Sequence, residues 1–221
     1  MKKIMVAIAV VSVVSVCVLM AGTSQAALIN GQIWAPVTGY NETTHDLSAA
    51  PGTVANASFT VDMINFDSQA LAGSYGGPVT YTQFLSNSLS GAPGPNNLVW
   101  SDGASATFGA QTLITSSVNT SFFQLTGTAY FPANVTIRHD DGFRLDLGGT
   151  IYDYSHPTAP ETASLNNAAG VYSFTLNYAA WNSFPEVLQV SQVNPVPIPP
   201  AVWLMGSGLL GLIGIRRRFK K

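Results

Sequence analysis

From residue 27 to residue 194 few stretches keep the apolar period of a helix. Apolar and polar residues instead alternate over short runs, amid abundant Ser, Thr, Asn, Gly and aromatics. Alternation points successive side chains to opposite faces of an extended chain, so such a run buries its apolar face only by pairing into a sheet. The candidate strands are 58–64, 105–112, 122–130, 134–138, 143–147, 150–154, 170–178 and 186–190. Asp102-Gly103, Asp141-Gly142 and Gly148-Gly149 separate several of them and read as hairpin turns, since these residues tolerate positive φ. Residues 71–98, rich in Gly, Pro and Asn, read as long surface loops, with 81–85 a short helical or extended anchor. No internal repeat is visible. The expectation is an all-β domain, an antiparallel β-sandwich.

Both ends carry a different pattern. Lys2-Lys3, an apolar run from Ile4 to Met20, and Ser24-Gln25-Ala26 make a secretory signal with cleavage after Ala26. At the other end a Pro-rich stretch leads into an apolar span from Ile198 to Ile215, 18 residues, followed by Arg216, Arg217, Arg218, Lys220 and Lys221. Prolines suit an extended spacer, Trp203 suits the water–lipid boundary, and the basic cluster holds the tail in the cytoplasm. The expected organisation is a signal helix (1–26), a β-sandwich (27–190), a Pro-rich linker (191–200) and a short C-terminal transmembrane helix with basic tail (201–221).

Charge is segregated the same way. Between the two ends only Arg138 and Arg144 stand against eleven acidic residues, a formal charge of −9 with no lysine. Such a body repels phosphate backbones, so nucleic acid is excluded as a partner, while divalent cations or neutral sugars suit it. The one cysteine, Cys17, lies in the leader, which leaves the mature body without a disulfide, a thiol nucleophile or Cys-ligated zinc.

The C-terminal order Val196-Pro197-Ile198-Pro199, Ala201-Val202-Trp203-Leu204, Gly206-Ser207-Gly208-Leu209-Leu210-Gly211-Leu212 and Arg216-Arg217-Arg218 resembles the PEP-CTERM sorting signal of Gram-negative bacteria. It departs from the signature at Ile198, where the family carries Glu, which leaves the cleavage position open. The resemblance implies handling by an exosortase-type enzyme. It also implies a protein anchored in the inner membrane facing the periplasm, or at the cell surface after processing, in a cell that makes a polysaccharide (biofilm) matrix.

Within the body, the cadence of 122–130, of Val135-Thr136-Ile137-Arg138-His139-Asp140-Asp141-Gly142-Phe143-Arg144-Leu145, and of 148–152, 170–178 and 185–190 resembles the latter half of a protective-antigen-type (PA14-type) β-sandwich. In sugar-binding members the paired aspartates coordinate Ca²⁺, so the resemblance implies Asp140 and Asp141 as candidate calcium ligands. Ca²⁺ takes about six to eight hard oxygens, and two adjacent carboxylates begin such a shell. The alternative is that the pair only shapes a turn, with Gly142 supplying permissive backbone. Arg144 is expected to neutralise Asp146 on the same strand face. His139, His45 and His156 lack both a nucleophile and metal-ligand spacing, so no catalytic residue is assigned. Trp34, Trp100, Tyr152, Tyr154 and Trp181 are candidates for a sugar-stacking platform or for the core. The leading functional expectation is a non-catalytic exported envelope or exopolysaccharide-matrix protein. A Ca²⁺-dependent carbohydrate-binding module comes second and an uncharacterised hydrolase third.

Overall fold

The computed structural model describes residues 28–38, 46–73, 77–116, 118–156 and 159–195, all within one compact unit, 27–196. The signal segment, its cleavage at Ala26, and the sorting and membrane segment from Val196 to Lys221 lie outside the described residues. Among those described, no helix is long and apolar enough to cross a membrane.

Two antiparallel sheets face each other. The larger has the order β4 (Val99–Trp100), β2 (Ala57–Val61), β1 (Ile29–Val37), β5 (Thr120–Phe131), β10 (Gly170–Ala180), β7 (Phe143–Leu147) and β8 (Thr150–Tyr154), with β12 (Asn194–Pro195) also on β5. The smaller is β3 (Asn65–Asp67), β11 (Val187–Val190), β6 (Thr136–Asp140) and β9 (Glu161–Ser164). The alternation on β5 and β10 explains the arrangement. Phe123, Leu125 and Phe131 lie on one face of β5, in register with Tyr178, Leu176 and Gly170 on β10. Phe66, Ile137 and Leu188 of the smaller sheet join their core. This is the β-sandwich that the alternation predicts.

One inner row explains Gly31. It stands between Phe59 and Leu125, and a Cβ on it would lie 2.1 Å from Phe59 Cζ, so the ring of Phe59 takes the volume a side chain would need. On the opposite face, Trp34, Phe122 and Ala179 form a row that Leu47 and Trp181 cover, making a second, smaller core at one end of the sheet.

Three short helices correct the loop and strand assignments. Residues 105–112 are not a strand; α3 (Gly103–Gly109) lies there, and Asp102 is its N-cap, accepting from Ser105 N at 2.6 Å. The buried positions Ser105 and Gly109 recur at helical spacing, and the Trp100 ring fills the space beside Gly109. Residues 81–85 resolve as helical: α2 (Tyr81–Ser86) starts on a Thr80/Gln83 capping box and buries Tyr81, Phe84 and Leu85. A further helix, α1 (Ser68–Ala72), begins at the Asp67 cap. The expected linker, 191–200, starts inside the fold, since Ser191 Oγ accepts from Thr136 N at 3.0 Å and Asn194 pairs with Tyr130.

Of the three turn signals, Gly148-Gly149 is a hairpin, with φ of 59° and 90° joining β7 to β8. Asp102-Gly103 caps a helix. Asp141-Gly142 joins strands of different sheets, so it is a corner and not a hairpin.

Candidate functional site

Asp140 ends β6, and the chain crosses from the small sheet to the large one through Asp141 and Gly142; the Asp140–Asp141 peptide bond is cis. Gly142 is required by a close approach. A Cβ there would sit 2.8 Å from the Ser155 carbonyl carbon, against the Ser155–His156 backbone. Both aspartates are inside the protein, 4% and 1% exposed.

The corner is tied to distant elements. The Asp141 carbonyl accepts from His139 Nδ1 at 2.8 Å, and Asp141 Oδ2 accepts from Trp181 N at 2.9 Å. The Tyr178 hydroxyl donates to the Asp140 carbonyl, and the same Oη lies 2.8 Å from Glu186 Oε2. Glu186 itself is fully buried, with its backbone joined to Ser68 through Glu186 N to Ser68 Oγ, 2.8 Å, and Ser68 N to Glu186 O, 2.9 Å. A phenol has one proton. Given to the Asp140 carbonyl, it leaves Tyr178 Oη to accept from a protonated Glu186.

The electrostatics agree. Burial, with the charge of Asp141 added, pushes the Asp140 carboxyl up to about 8. Burial and the Asp141 charge likewise raise Glu186 well above the usual carboxylate range, and burial with the Glu186 charge raises Tyr178. Arg138 is a weak counterweight because it is committed elsewhere, to Asp67 at 2.9 Å, Gln69 at 2.7 Å and Gln189 at 3.1 Å. Arg144 pairs with Asp153 and not with the expected Asp146. The β7–β8 register sets the two directly opposite each other, while Asp146 Oδ1 accepts from Gly149 N at 2.8 Å.

His139 is buried, and burial lowers its pKa. Its Nε2 lies 3.6 Å from Glu161 Oε1, as does that of His156, so both imidazoles face the same carboxylate. The five candidate platform aromatics share no surface. Trp34 and Trp181 sit in the second core, Trp100 packs edge-on against Phe59, Tyr154 stacks on Phe143 and Tyr152 packs against the main core.

For metal binding, Asp140 and Asp141 are hard oxygen donors in a desolvated corner, which fits Ca²⁺ by ligand type. Among the described residues no group of three or more His, Cys, Asp or Glu is arranged around one metal position. An ion at the pair would therefore complete its shell with backbone carbonyls and water. Sequence reading missed Tyr178, Trp181, Ser68 and Glu186, whose contacts to the corner and to each other span up to 118 residues of chain. The one local signal was Glu186 itself, an acid directly ahead of the Val187-Leu188 apolar pair.

No family model matches the chain, and no curated protein matches it either. Among solved structures it is similar to the PA14 domain of the MpAFP antifreeze protein, with 13% identity, a TM-score of 0.47, and coverage of 79% of this chain and 86% of that one. It is also similar to the PA14 sugar-binding domain from an RTX adhesin, with 15% identity, a TM-score of 0.43, and coverage of 75% and 88%. A more distant likeness is to the GH31 alpha-xylosidase of Xanthomonas citri, at 8% identity and a TM-score of 0.38, where 80% of this chain spans only 16% of that enzyme. Likeness at this level carries neither a ligand nor an activity across.

Proposed function

We propose that this chain is an exported, non-catalytic carbohydrate-binding module of the PA14 type, serving the cell envelope or its polysaccharide matrix, in which Asp140 and Asp141 hold Ca²⁺. The observation that supports it most is the pair itself: two adjacent carboxyl groups, 4% and 1% exposed, where burial, with the charge of Asp141 added, pushes Asp140 up to about 8. A divalent cation relieves both the desolvation and the mutual repulsion. The ion would supply coordination to sugar hydroxyls. The chain's own residues fix the Asp141 carboxylate, through Trp181 N, and the backbone carbonyls of both aspartates, through Tyr178 and His139.

Export and membrane delivery rest on residues 1–26 and 196–221 alone, with an exosortase-type enzyme as the processing partner. Calcium titration by calorimetry, followed by a glycan array with and without EDTA, tests the binding reading. Calcium heat and chelator-sensitive glycan signals are expected; absence of both overturns it. Mass spectrometry of the mature termini checks the processing: loss of residues 1–26 and of the Arg216–Lys221 tail is expected, and an intact tail means no sorting cleavage.

A further inference from the structure

The outward face of the larger sheet carries a second feature, separate from the aspartate corner. On β2, β1 and β5 the outward positions fall into two rows across the strands, Ser58–Gln32–Gln124 and Thr60–Asn30–Thr126. The rows line a depression of about 330 Å³ with Ser101 at its rim, at the low end of the roughly 300–1,000 Å³ typical of ligand sites. The second core of Trp34, Leu47, Phe122, Ala179 and Trp181 bounds this face at one end.

We infer that this depression is a calcium-independent binding site for a neutral polysaccharide. None of its lining residues is charged, so it holds nothing to recognise phosphate, carboxylate or sulfate. The formal charge of −9 on the body repels anionic polymers as well. Its groups are amides and hydroxyls, each set offering donors and acceptors together, as the hydroxyl pairs of a neutral sugar require. Among the described residues the side chains of Asn30, Gln32, Thr60 and Thr126 make no protein hydrogen bond, so these groups are open to a ligand.

Gln124 is held in place before any ligand arrives. Its Nε2 donates to Asn177 Oδ1 at 3.1 Å, and Asn177 Nδ2 donates to the Leu47 carbonyl at 2.7 Å, which leaves Gln124 Oε1 as a fixed acceptor. With strands about 4.8 Å apart, each row crosses about 10 Å and the two rows lie about 7 Å apart, a footprint for a short length of sugar chain lying across the strands. No aromatic side chain lies exposed among the lining residues, so the contact depends on hydrogen bonds and is weak per site. A polymer, which offers the same unit repeatedly, is the ligand such a site can retain.

The test is native affinity electrophoresis of the full chain in gels cast with soluble neutral polysaccharides (dextran, a β-glucan, a galactomannan), with dextran sulfate as the anionic control, each with and without EDTA. At least one neutral gel is expected to retard the protein equally with and without EDTA. Gln32→Ala and Gln124→Ala should each weaken the apparent affinity roughly threefold to tenfold, in line with the loss of one or two hydrogen bonds; Gln32→Ala is expected to leave the melting temperature unchanged, whereas Gln124→Ala also strips the buried Asn177 Oδ1 of its donor and lowers it. No retardation in any neutral gel overturns the proposal, and so does retardation that survives in the Gln32→Ala/Gln124→Ala double variant. Retardation abolished by EDTA moves the binding to the aspartate pair and also overturns it. A doubled mass by light scattering that returns to monomer in Gln32→Ala puts a second copy on this face, with the same consequence. Because EDTA separates the two sites, failure here leaves the calcium reading standing, and the reverse holds too.

Discussion

The carboxylate of Asp141 accepts a hydrogen bond from the main-chain N–H of Trp181, forty residues further along the chain, at 2.9 Å, and so pins the corner between the sheets to the end of β10. With the His139 and Tyr178 bonds to the neighbouring carbonyls, the Asp-Asp-Gly tripeptide is held both from β6 and from the end of β10.

Asp141→Ala leaves the buried Trp181 N–H without that acceptor. A loss of about 1–3 kcal/mol is expected, read as a lower denaturant midpoint in EDTA. Asp141→Asn keeps an acceptor oxygen and removes the repulsion on Asp140, so it should cost less than the alanine variant. Equal losses would mean that the charge, and not the hydrogen bond, is what the corner needs.

The corner should also make stability depend on pH in an unusual direction. Asp140 is raised from 3.8 to about 8, so between those values the folded chain holds a proton that the unfolded chain has released. Its contribution is fully present below about pH 4 and is lost as pH rises through about 8. Glu186, also raised, acts in the same sense. Asp46 and Asp102, lowered by hydrogen bonds to Ser48 and Ser105, act in the opposite sense, at pH values below the ordinary Asp range. In EDTA the melting temperature is expected to fall from pH 5 to pH 8, more shallowly in Glu186→Gln. Calcium should raise it more at pH 8 than at pH 5, where the ion must displace a proton. A slope that calcium leaves unchanged would favour the purely structural reading of the pair.

Gly31 is expected to resist any side chain. In Gly31→Ala the new Cβ meets the buried Phe59 ring, at a cost of about 1–3 kcal/mol by thermal denaturation. Phe59→Leu should recover part of that loss in the double variant. If the two losses simply add, the ring is not what excludes the side chain.

Asp102→Ala removes the cap of α3 and should cost about 0.5–2 kcal/mol, with Asp102→Ser losing only a fraction of it. Urea denaturation of the three chains side by side measures both. A silent alanine variant would mean that packing of Phe108 and Trp100 alone maintains the helix.

Much of the sheet was legible because its signal is local. The 143–147 and 150–154 strands match β7 and β8, since alternation on both sides of a Gly-Gly turn is written within a dozen residues. β1 was not visible: its inward position 31 is a glycine, which breaks the apolar alternation that Ile29 and Ile33 would otherwise show. Residues 105–112 read as a strand in sequence because Asp-Gly is both a turn signal and a helix start, and only the Ser105 N–H on the Asp102 carboxylate decides between them.

At the candidate site, the sequence by itself determined the chemistry: an acidic body with two arginines, and one adjacent pair of carboxylates placed between strand-forming runs. Tertiary structure decided what surrounds that pair. The two aspartates became a buried corner and not an exposed loop because β6 and β7 enter different sheets, which brings Tyr178, Trp181 and Glu186 against them from the far end of the chain. The same distinction holds on the outer face, where Asn30, Gln32, Ser58, Thr60, Gln124 and Thr126 are unremarkable polar residues in sequence. Only the antiparallel register sets them in two rows, because which side chains meet across strands depends on pairing between segments up to 96 residues apart, and no local pattern encodes that pairing.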